Sequence, residues 1–217
     1  MNLTTKKLFT SPTYKKSTYI LTMLSLMHGV TGYGFIYVFE RICLKHYIST
    51  DYDKQFFSYS EANWTISLLS FLAAIGAITF LNLMKRRSLL LTGQAITVIL
   101  MSLIGVAVMF DGNLLAIYLF LLYLVAFYLS VSTTIWIYIT EISTDRALGY
   151  SIFVIYLSLT LITFLAELLE SISFIFFFAF AVLALSDFLL VYFLVEDTKG
   201  LNDREKKLLY AQASYKP

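Results

Sequence analysis

Residues 114–139 run for 26 positions without a charged side chain. At about 1.5 Å rise per residue, a helix of that length exceeds a hydrocarbon core roughly 30 Å thick, so the stretch reads as a membrane-spanning helix. Its final third carries Ser130, Ser132, Thr133, Thr134 and Trp136, and a charged knot of Glu141, Asp145 and Arg146 follows before Gly149. Hydroxyls inside a spanning helix seldom face lipid, because their hydrogen bonds need protein or water partners. This helix therefore has a functional or packing face.

The rest of the chain repeats the pattern. Of its 217 residues 59% are hydrophobic and only 14% charged, where a soluble domain carries about a quarter. The class is an all-α polytopic membrane protein. Six spans are expected, at about 19–39, 64–83, 89–110, 114–139, 150–169 and 172–195, between a polar lead-in at 1–18 and a tail at 196–217. The first apolar run is too long for a cleavable signal peptide and no small-residue cleavage site follows it. Gly29, Gly32 and Gly34 crowd the first span beside His28, and each costs a helix roughly 1 kcal/mol against alanine. Such glycines are tolerated where helices approach closely or break at a binding site.

Basic residues set the orientation. Thirteen of the Lys and Arg residues fall in 1–18, 84–88, 140–149 and 196–217, and three (Arg41, Lys45, Lys54) fall on the other side. The positive-inside rule then places both termini in the cytoplasm. One cysteine, Cys43, permits neither an intrachain disulfide nor a cysteine-built metal site. With no nucleotide loop, no metal-ligand cluster and no nucleophile beside a base, the sequence predicts neither an enzyme nor a bound cofactor or metal. The basic residues follow the membrane rule and give no reason to expect nucleic acid.

The segments flanking the spans resemble one family, the sugar porters of the major facilitator superfamily, and in particular their C-terminal half. The stretch 195–201, VEDTKGL, with Glu205 beyond it, is similar to the family's P-E-T-K-G signature, with Glu196 and Asp197 in place of its proline and glutamate. The stretch 82–93, NLMKRRSLLLTG, resembles the D-R-x-G-R-R-P-L-L-L-x-G loop in its arginine pair, leucine run and final glycine. Trp136 with Glu141, and Arg146 with Gly149, resemble the P-W-x-x-x-x-E and R-x-x-G elements, and the lead-in at 8–16 resembles the segment before the seventh helix. The likeness covers the whole chain in order.

That resemblance implies half of a major-facilitator fold, moving a sugar or similar small polyol by alternating access. Full members have twelve spans and bind substrate between two six-helix bundles, so it implies a second six-helix half or a homodimer as partner, surrounded by lipid. It also implies the plasma membrane as location. Two departures bear on function. Where the family's seventh helix carries a glutamine pair and an asparagine for sugar hydroxyls, this chain has Met27, His28, Gly29, Thr31 and Gly32. The prolines expected before the tryptophan of the tenth helix are absent.

Several residues then become candidates. Trp136 offers a plane on which a sugar face can stack, against the plainer role of a packed or interfacial tryptophan. Ser130, Thr133 and Thr134 could line a pathway or simply bond between helices, and His28 and Thr31 could meet substrate at mid-span. Asp187, an acid inside the sixth span, is a functional suspect by its position. Arg86, Arg87, Glu141, Arg146, Asp197, Lys199 and Glu205 match the family's conformational charge network, a latch of ion pairs worth about 0–1 kcal/mol each when exposed. Two other readings stand beside transport of a sugar. One is a non-transporting or degenerate membrane subunit; the other is a proton-coupled carrier of another solute using His28 and Asp187.

Overall fold

The computed structural model describes residues 5–41, 59–168 and 173–212. Among the described residues every regular element is helical, and six helices are long and apolar enough to cross a membrane. These are Tyr14–Phe39, Asn63–Leu83, Arg86–Met109, Leu114–Ile142, Asp145–Ala166 and Ile175–Leu194, the first to sixth spans. The chain is an all-α polytopic membrane protein. Most of the connection expected between the first and second spans lies outside the described residues.

Local chemistry sets the helix ends. A short helix at Thr5–Thr10 leads to extended Ser11, and Pro12 then opens the helix Pro12–Met27 at a position where its missing N–H costs nothing. The helix thus begins several residues before the apolar run does. Lys85, also extended, separates the second span from the third. At the far end of the third span Asp111 takes a left-handed φ of 56°, its N–H bonds the Val108 carbonyl at 3.2 Å, and the Gly112 N–H reaches Ala107 at 2.8 Å. Those two bonds form a Schellman cap, which consumes carbonyls the helix would otherwise strand.

The fourth span continues past residue 139 to Ile142, so Glu141 lies on the helix, and extended Ser143 ends it. Asp145 opens the helix Asp145–Leu168, which carries the fifth span, where an acid suits the positive end of the helix dipole. The charged knot is therefore two helix ends with a two-residue link, because a charge near a membrane surface ends an apolar run without ending a helix. Beyond the sixth span the tail folds again, as the helix Asp203–Gln212.

The third span packs chiefly on the sixth and the fourth, and the first on the fifth. The interior is aromatic: Phe39 stacks on Phe120 with centroids 3.9 Å apart, and Phe35 and Phe177 close around them. Phe71, Ile78, Ile99, Phe164, Val182 and Phe193 are exposed along the outside. A soluble protein would not carry so much apolar surface; a membrane accepts it.

Candidate functional site

Both the first and the fourth span widen in mid-course into a π-helical segment, His28–Gly34 and Phe127–Ser132, and the two segments touch. In the first span the Phe35 N–H reaches the Val30 carbonyl, five residues back. The Thr31 carbonyl thereby loses its α-helical donor, and the buried Tyr123 hydroxyl of the fourth span donates to it at 2.8 Å. In the fourth span the Thr133 hydroxyl donates to the Tyr128 carbonyl, also five residues back, at 2.7 Å. Such widened turns occur often at functional sites.

An aromatic cluster fills the crossing. His28 lies against Phe127 in a stacked arrangement at 5.5 Å, with Tyr33 edge-on at 5.0 Å and Trp136 at 6.1 Å. Trp136 donates through Nε1 to the Tyr33 hydroxyl at 3.3 Å, and that hydroxyl lies 3.5 Å from Ser132 Oγ. Gly32 lets Phe127 in: a Cβ there would lie 2.4 Å from the ring's Cζ. His28 is only 1% exposed, and neither ring nitrogen has a hydrogen-bond partner among the described residues. Trp136 and Tyr33 are half-buried.

The hydroxyls divide by use. Thr31 donates to its own Met27 carbonyl at 2.8 Å and Ser130 to its own Ala126 carbonyl at 2.5 Å, which leaves both with acceptor capacity only. Thr134 is fully buried, and its hydroxyl has no partner among the described residues. Ser130 also packs on the third span at Gly93, where there is no side chain to hold it off. Asp187 sits apart from the crossing, buried between the sixth and third spans, where its Oδ2 accepts from Gln94 Nε2 at 2.6 Å.

At the basic end Glu141 accepts from three directions. Arg86 Nη2 reaches it at 3.0 Å, Lys206 Nζ from the tail helix at 3.0 Å, and the Thr198 hydroxyl at 2.5 Å. The side chains of Arg86, Lys206 and Glu141 are 19%, 16% and 13% exposed, so these pairs are better shielded than an open surface latch. Lys199 Nζ donates to the Asn82 and Met84 carbonyls at 2.7 and 3.1 Å, closing the end of the second span. Arg87 donates to the Tyr192 carbonyl at 2.6 Å.

Asp197 and Glu205 serve the tail itself. Asp197 Oδ1 accepts from the Lys199 N–H at 3.2 Å, while Asn202 and Glu205 exchange side-chain-to-backbone bonds of 2.9 Å that cap the tail helix. Arg146 is exposed and makes no ion pair among the described residues. Beside Glu141, the tail is pinned by Tyr210, whose hydroxyl pairs with that of Tyr138 and accepts from the Glu196 N–H at 3.0 Å. Burial pushes the Tyr210 phenol above its ordinary range.

Sequence reasoning missed Tyr33, Phe127, Tyr123 and Gln94 at the spans, and Thr198, Lys206 and Tyr210 at the tail. Tyr33 lies inside the glycine cluster already singled out, and a polar Gln94 within an apolar run was a usable signal. The aromatics carried none, since 17% of the chain is aromatic.

No individual curated protein matches the chain at a significant level. The family described as sugar (and other) transporters matches residues 1–206, nearly the full length. With six membrane-spanning helices and that match, the chain belongs to the sugar-transporter family of the major facilitator superfamily.

Proposed function

We propose that this protein moves a sugar or a similar small polyol across the membrane by alternating access, with the crossing of the first and fourth spans as its part of the pathway. Family membership supports the transport class. One observation carries the finer reading: the Trp136 indole is held by the Tyr33 hydroxyl, which lies beside Ser132, where both spans are widened. An indole plane suits the apolar face of a pyranose, and hydroxyls beside it suit the sugar's rim.

In this reading a second six-helix bundle, from another chain or a second copy, faces the crossing and completes the pathway. Glu141, Arg86, Lys206, Lys199 and Arg87 brace the cytoplasmic end while the bundles rock. Both termini lie in the cytoplasm, and the host membrane is the plasma membrane.

Uptake of labelled hexoses and polyols into vesicles holding the purified protein tests this. Saturable uptake that Trp136→Ala abolishes and Trp136→Phe partly retains is expected. Folded protein that takes up none of them, alone or with a complementary half, would sink the proposal and favour a non-transporting subunit.

A further inference from the structure

The pair formed by Gln94 and Asp187 lies outside the crossing and takes no part in the pathway proposed above. Asp187 is 2% exposed and Gln94 3%. They join through a single bond, Gln94 Nε2 to Asp187 Oδ2 at 2.6 Å. One oxygen on each partner, Asp187 Oδ1 and Gln94 Oε1, is buried with no hydrogen-bond partner among the described residues. Two acceptors cannot satisfy each other. A proton on either one would make it a donor, and only the carboxyl takes a proton near neutral pH.

We infer that Asp187 and Gln94 form a proton-binding site in which Asp187 is held as the neutral carboxylic acid. The acid's O–H donates to Gln94 Oε1 while Gln94 Nε2–H donates to Asp187 Oδ2. The proton comes from bulk water as the helices pack, and none is released elsewhere.

The surroundings give a carboxylate no counter-charge. On the third span the charged groups are Arg86 and Arg87, seven or more positions nearer the basic end than Gln94, engaged with Glu141 and the Tyr192 carbonyl. On the first span, which also packs on the sixth, the titratable groups are Tyr14, Lys15 and Lys16 at the basic end, exposed Tyr19, and His28, Tyr33 and Tyr37. His28 is enclosed by Phe127, Tyr33 and Trp136. On the sixth span itself there is Tyr192, exposed. Among the described residues none of these bonds Asp187. A charge buried with one neutral donor is strongly disfavoured in hydrocarbon, whereas an acid–amide pair satisfies all four of its inward atoms.

Infrared spectra of the full-length protein in lipid, wild type against Asp187→Asn, test the assignment. The wild type should show one protonated-carboxyl C=O band at pH 7 that the variant lacks. Asparagine can make the same two bonds, so Asp187→Asn should leave the melting temperature unmoved, while Asp187→Leu and Gln94→Leu should each lower it by roughly 5 °C or more. The proposal is overturned by wild-type and Asp187→Asn spectra alike in that band, or by Asp187→Asn melting as low as Asp187→Leu. Stabilisation of the wild type by sodium that Asp187→Asn abolishes would also overturn it, by making the occupant a metal cation.

Discussion

The Tyr123 hydroxyl donates to the Thr31 carbonyl at 2.8 Å, across from the fourth span to the first. That carbonyl is free because the first span widens around it, so one phenol ties the break in one helix to the body of another. Tyr123→Phe leaves the carbonyl buried without a donor and should cost about 1–3 kcal/mol. Melting of the purified protein measures this, with Tyr118→Phe, at an exposed ring, expected to leave it unchanged.

Two glycines should respond to alanine with opposite signs. A Cβ at Gly93 would lie 2.0 Å from Ser130 Oγ and 2.6 Å from Ser130 Cβ, so the third and fourth spans must part. The expected loss is about 1–3 kcal/mol. At Gly76 the nearest atom, Leu129 Cδ1, is 3.5 Å away, an ordinary contact. There alanine should add about 0.5–1 kcal/mol through helix preference alone. Thermal melting of the pair decides.

Glu141→Gln should free the tail helix before it disturbs the spans. Arg86 and Lys206 would lose their shared carboxylate, a loss of about 1–3 kcal/mol confined to the basic end. Amide exchange should quicken across Asp203–Gln212 while the fourth span stays protected. Arg146→Ala, at an exposed residue, should change neither.

Alkaline pH should loosen the same contact. Burial raises the Tyr210 phenol, so the folded chain keeps a proton that the unfolded chain gives up above about pH 10. The stabilisation is complete below that value and is lost as pH climbs through the folded-state pKa. Melting temperatures between about pH 8 and 11 should fall at the upper end, and Tyr210→Phe should flatten that fall while lowering the starting value.

The spans were legible because lipid demands long apolar runs, and a run long enough to cross leaves few alternatives. Their ends were less so. Hydropathy marks where Glu141 and Arg146 appear, but caps at Ser143, Lys85 and Asp111 decide where helices stop. The glycine cluster at 29–34 pointed to a close helix approach or a break, and the first span does widen there. The matching break in the fourth span had no glycine to announce it; hydroxyl side chains bonding their own backbone accompany it instead. Which of 19 phenylalanines and 16 tyrosines would meet at the crossing depends on helix rotation, which a uniformly apolar helix does not encode.

Glu141 is made before two of its three partners. Arg86 precedes it, whereas Thr198 and Lys206 follow the sixth span. During synthesis the carboxylate therefore waits through two further membrane insertions with half its final complement of positive charge. Only when the residues to Tyr210 have left the ribosome can the underside of the bundle close. A chain cut short near residue 195 would therefore hold Glu141 with Arg86 alone of the three, and its basic end would stay open.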